Sequence, residues 1–163
     1  MKKIIAACVT MAALTSANAF ADNGAIQLGS GLVKAGKDET VGLGKLPKDF
    51  DYNIVCQITN SYNTGNFGIK FIPDHNDTEF DSVSLDGAAM QKDTGKNGQG
   101  FNGTLAAWTN YAAPSSSWLQ INKLRKTTRW THNDSFKLGN RAGGSAEFVY
   151  TCVAYPYTAP TNP

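Results

Sequence analysis

Apolar and polar residues along this chain alternate in short runs, and long helical periodicity is missing. From Tyr52 to Asn60, Tyr52, Ile54, Cys56 and Ile58 fall on one face, with Asn53, Val55, Gln57 and Thr59 on the other. A period of two marks a half-buried strand. Glu147 to Tyr155 repeats it, placing Phe148, Tyr150, Cys152 and Ala154 on one face. Further strands are expected over Ala25 to Val33, Phe67 to Ile72, Glu79 to Leu85, Asn102 to Tyr111, Trp118 to Leu124 and Phe136 to Leu138. Within Glu79 to Leu85, Phe80, Ser82 and Ser84 should oppose Asp81, Val83 and Leu85. Trp118 to Leu124 also fits an amphipathic helix through Ile121 and Leu124. Thr40 to Leu46 is expected as an edge strand or a glycine-loosened connection.

Turn clusters separate these runs. Ser61 to Asn66 should join Tyr52–Asn60 and Phe67–Ile72 as a hairpin, and Gly139 to Gly144 should be the hairpin loop before the last strand. Asp86 to Gly100 holds four glycines and reads as one long loop. Short strands between closely spaced turns predict an all-β chain, a single-domain antiparallel β-sandwich.

The first residues change the picture. Met1-Lys2-Lys3 is a basic start, Ile4 to Leu14 an apolar stretch too short to span a bilayer, and Ala19-Phe20-Ala21 a small-x-small site. Together they predict a secretory signal over residues 1–21, cleaved after Ala21 or, alternatively, Ala19. The sandwich domain is then expected over 22–156, with a Pro- and Thr-rich tail over 157–163. Cys8 lies inside the leader, too close to Lys3 for a lipoprotein site. Export makes Cys56 and Cys152 the expected disulfide. Their strands must be neighbours in one sheet or face each other across the sandwich, and the cross-sheet arrangement is favoured here.

The chain carries 15 Lys and Arg against 13 Asp and Glu, and losing Lys2 and Lys3 evens the count. Attraction to a polyanion would therefore need a local patch. The densest cationic stretch is Lys123, Arg125, Lys126 and Arg129, closed by Trp130. Its guanidinium groups suit phosphate or sulfate, and Trp130 suits a sugar ring or a lipid interface. The opposing expectation is a solvated loop.

Other constellations are weaker. Gly31 to Lys37 nearly spells a phosphate-binding loop, but Asp38 stands where a hydroxyl should bind magnesium. Asp74, Asn76, Asp77, Glu79 and Asp81 crowd oxygen ligands together, yet their spacing fails the EF-hand pattern. His75-Asn-Asp-Thr78 and His132-Asn-Asp-Ser135 form a short repeat containing both histidines of the chain. An acid–base site using both would need the two turns at one end of the sandwich. Tyr62, Trp108, Tyr111, Trp118 and Trp130 could offer a stacking face for glycans, although Trp108 and Trp118 also fit a core.

No motif implies a cofactor or a metal, and no catalytic signature is present. The expected function is an exported, bacterial-type binding or interaction module, non-catalytic, periplasmic or extracellular. It would recognise a glycan, an anionic lipid head group or a host or envelope surface, in preference to nucleic acid. The alternatives are a secreted hydrolase using His75, His132 and nearby carboxylates, and a structural envelope protein that self-associates through an edge such as Thr40 to Leu46.

Overall fold

A computed structural model describes residues 24–48, 50–60, 67–74, 79–93, 100–105, 115–125, 134–141 and 147–157. The described chain is all-β. Its strands are β1 (Ile26–Val33), β2 (Asp38–Gly42), β3 (Tyr52–Asn60), β4 (Phe67–Pro73), β5 (Ser82–Leu85), β6 (Ala88–Ala89), β7 (Gln91–Lys92), β8 (Phe101–Leu105), β9 (Ser115–Leu124), β10 (Ser135–Asn140) and β11 (Phe148–Pro156). They form two packed antiparallel sheets, ordered β1-β11-β3-β9-β5-β6 and β2-β10-β4-β8-β7.

The pairing has a simple logic. β1 pairs with β11, β2 with β10, β3 with β9 and β4 with β8. These pairs nest about the middle of the chain, as in one long ribbon folded back on itself. Two further pairings, β3 with β11 and β4 with β10, roll that ribbon onto itself. The result is the strand order of a jelly roll. β5, β6 and β7 extend one edge of each sheet.

The sheets bury the faces that alternation assigned to the core. Tyr52, Ile54, Cys56 and Ile58 are fully buried, beside Phe148, Tyr150, Cys152 and Ala154 on the same face of the six-stranded sheet. The other sheet contributes Ile69, Phe71, Phe136 and Leu138. Phe71 lies 5.4 Å from Phe136 and 5.5 Å from Phe80, ring centroid to centroid. Offset and edge-on aromatic contacts of this kind add to the area term.

Several expectations are corrected. Cys56 and Cys152 do form a disulfide, but within one sheet, as directly opposed residues of β3 and β11. Residues 61–66 lie outside the described residues, and the strands they join, β3 and β4, are not hairpin partners, because they lie in different sheets. The same holds for Gly139 to Gly144: β10 and β11 lie in different sheets, and Gly139 and Asn140 belong to β10 itself. In both cases consecutive strands belong to different sheets, a distinction that turn composition does not carry. Asp86 to Gly100 is not one loop; Asp86-Gly87 turns β5 into β6, and β7 follows. Phe80 and Val83 are both buried, so the alternation changes phase between Asp81 and Ser82. The edge strand β2 starts at Asp38, and Leu43 and Leu46 are buried beyond its end. Trp118 to Leu124 is strand, within β9.

Polar ties fix the ends of the roll. The Tyr52 hydroxyl donates to the Pro47 carbonyl at 3.0 Å. Buried Asn140 donates through Nδ2 to the Val33 carbonyl at 3.1 Å, while its backbone bonds to Gly36 and Lys37 of the β1–β2 turn. Gly100, with φ +139, lets the chain pass over β4: a Cβ there would stand 2.7 Å from Lys70 Cε and 2.8 Å from the Phe71 carbonyl oxygen. Lys70 Nζ meets Asp93 Oδ2 at 2.6 Å beneath that crossing.

Candidate ligand-binding face

The outer face of the six-stranded sheet is built by the residues alternating with the core. Register aligns them in rows across the strands. One row runs Leu32, Val149, Thr59, Ser116; the next runs Ser30, Thr151, Gln57, Trp118; a third runs Gln27, Val153, Val55, Gln120, Ser84. None of these side chains carries a charge. They bond laterally: Gln57 Nε2 to Ser116 Oγ at 3.0 Å, Thr59 Oγ1 with Ser116 Oγ at 3.1 Å, and Asn122 Nδ2 to Ser82 Oγ at 2.8 Å. Such cross-strand pairs hold side chains in place on a sheet surface.

Trp118 stands on this face, 38% exposed. Gln57 lies directly opposite it on β3. On its other side is the β5–β6 turn. Asp86 and Gly87 have φ of 50° and 81°, as an Asp-Gly hairpin turn requires. The Asp86 amide donates to the Trp118 carbonyl at 2.9 Å, and Asp86 Oδ1 accepts from the Trp118 amide at 2.8 Å. The turn is thereby clamped to β9. Sequence reasoning placed Trp118 in a strand but left its face open, and it passed over Asp86-Gly87, whose dipeptide was the available signal.

The cationic stretch is described only at its start. Lys123 occupies a bulge in the β3–β9 pairing, with φ 50° and its amide donating to Asn53 Oδ1 at 2.8 Å. Its ammonium lies 5.2 Å from the Tyr157 ring centroid, a cation–π arrangement. Tyr157, expected to open the tail, is also tied by its amide to the Asp51 carbonyl. Arg125 pairs with Asp81, and its amide donates to the Glu79 carbonyl at 2.8 Å. Lys126, Arg129 and Trp130 lie outside the described residues, as do Tyr62, Trp108 and Tyr111.

Asp74 and Asp81, from the acidic cluster, have separate tasks. Asp74 Oδ2 accepts from the Ser135 amide at 3.1 Å and from its hydroxyl at 2.5 Å. The described residues beside the two His-Asn-Asp segments, Asp74 and Ser135, therefore meet at one end of the roll. His75 and His132 themselves, with Asn76 and Asp77, lie outside the described residues. Among the described residues no group of His, Cys, Asp and Glu is placed to hold a metal ion.

Two phenols are perturbed. Burial, and secondarily the Glu39 carboxylate, push Tyr150 above its usual 10.0. Burial alone raises Tyr155. Among the described residues no helix is long and apolar enough to cross a membrane. The chain matches no protein-family model and no curated protein.

Proposed function

We propose that this chain is an exported, non-catalytic module that binds a neutral glycan on the outer face of its six-stranded sheet. The observation that carries this reading is Trp118: an exposed indole, braced by its own backbone, between the Gln57 carboxamide and the Asp86 carboxylate. A sugar ring presents a C–H face and a rim of hydroxyls. An indole offers an apolar plane for the first. Amide and carboxylate groups offer donors and acceptors for the second. The surrounding Ser, Thr, Gln and Asn side chains extend the same chemistry; these rows carry no cation, and the Asp86 carboxylate beside Trp118 favours a neutral ligand over an anionic one. The Arg125–Asp81 pair supports the same choice, because it offsets the charge of one of the cations that an anion would need. Export is supported by the leader-like residues 1–21 and by the Cys56–Cys152 disulfide, which belongs to an oxidising compartment.

A glycan array probed with the mature chain and with Trp118→Ala tests the reading. Binding to uncharged glycans by the wild type and its loss in the variant is the expected result. Equal signals from the two proteins would remove Trp118 from the site.

A further inference from the structure

We infer that the mature chain forms a two-fold dimer by pairing β1 with β1 of a second copy. Among the described residues the sheets have four edges, and three are guarded. β6 and β7 are two residues long, and β7 carries Lys92. β2 opens with Asp38 and Glu39, and Arg141 holds Asp38 at 2.8 Å. Short edges and edge charges discourage further strand pairing. β1 has neither protection: it is eight residues long, without charge or proline. Within β1 itself, two copies meeting there bring no like charges together. Beside it, Leu32 and Val149 face each other across β1 and β11, each 43% exposed.

The backbone specifies the geometry. Cys56 and Cys152 are 4.0 Å apart at Cα, the close spacing of a non-hydrogen-bonded antiparallel pair. Alternation along β11 then aims the amide and carbonyl of Tyr150 at Gly31. Those of Ser30 and Leu32 point off the sheet. A two-fold axis at Gly31 sets Ser30 of each copy opposite Leu32 of the other, satisfying these groups reciprocally. Both outer faces then lie on one side of a twelve-stranded sheet. The two Trp118 rings sit roughly 34 Å apart, at about 4.8 Å per strand step. If the glycan reading of that face holds, the dimer is bivalent toward a glycan-bearing surface; the dimer itself does not depend on it.

Sedimentation velocity over a concentration series, without sugar, tests the inference on the mature wild type, Leu32→Pro and a Ser30→Lys/Leu32→Lys double variant. Proline at an outward-pointing edge amide deletes a donor without disturbing pairing to β11. The lysines act through exposed side chains alone, so they give an answer even if proline perturbs the strand. The expected result is a concentration-dependent dimer for wild type and monomers for both variants, with the disulfide and melting temperature of the lysine variant retained. A wild type that stays monomeric throughout, or a lysine variant that dimerises like wild type, overturns it. Failure of glycan binding with the dimer intact would count only against the function proposed for Trp118.

Discussion

Cys56 and Cys152 stand opposite each other where β3 meets β11, one of the two seams that roll the ribbon of nested strand pairs into a sandwich. The bond therefore fastens a pairing between residues 96 positions apart. Closing a loop of that size removes unfolded-state entropy worth about 4.7 kcal/mol in the chain-entropy model. Reduction of the mature chain should lower its stability by that order. Urea unfolding with and without reductant measures the shift, and an unchanged midpoint would show that the seam holds without its bond.

Tyr52 is fully buried, with its hydroxyl donating to the Pro47 carbonyl. Tyr52→Phe keeps the ring and removes that donor. The expected loss is about 1 kcal/mol, the usual net worth of one hydrogen bond. Tyr52→Ala should cost ~3 kcal/mol or more, because it also empties the space under the β2–β3 link. Equal losses from the two variants would contradict this division.

The raised phenols give a pH dependence with a definite sign. Below pH 10 these tyrosines are protonated in both folded and unfolded chains, and the associated stability is fully present. As pH climbs past 10.0, the unfolded chain ionises first, and stability falls until the folded phenols ionise too. Tyr150→Phe should flatten this alkaline decline while leaving acid behaviour alone. Melting curves across the alkaline range would show it.

Arg125 is committed to Asp81 at the surface. Exposed pairs of this kind contribute about 0–1 kcal/mol, so Asp81→Asn should barely move the melting temperature. It should instead raise affinity for anionic vesicles at low salt, because it removes one negative charge from beside the guanidinium. Vesicle co-sedimentation at two salt concentrations reads this. No change would place any anion binding elsewhere than at Arg125.

The buried faces were legible because burial on one side imposes period two, as the Tyr52–Ile58 and Phe148–Ala154 alternations show. The disulfide partners were legible too, but not their arrangement: one-sheet and two-sheet bridges leave the same pattern in each strand. Sheet assignment failed for a related reason. The segments after β3 and β10 have the composition of hairpin loops, yet the strands they join lie in different sheets. Composition records that the chain turns, not which strand it meets next. β6 and β7, two residues each, are too short to show any period. The outer face was hidden likewise. Its chemistry comes from rows of residues on separate strands, and no local window holds Gln57, Trp118 and Asp86 together.

The most direct measurement is amide chemical-shift mapping of the mature chain titrated with an uncharged oligosaccharide that scores on the array. The account predicts shifts confined to Trp118, Gln57, Gln120 and Asp86 with their neighbours on β9, β3 and the β5–β6 turn, including the Trp118 indole N–H. Shifts clustered instead beyond Arg125, or on the five-stranded sheet, with the Trp118 indole unmoved, would contradict it.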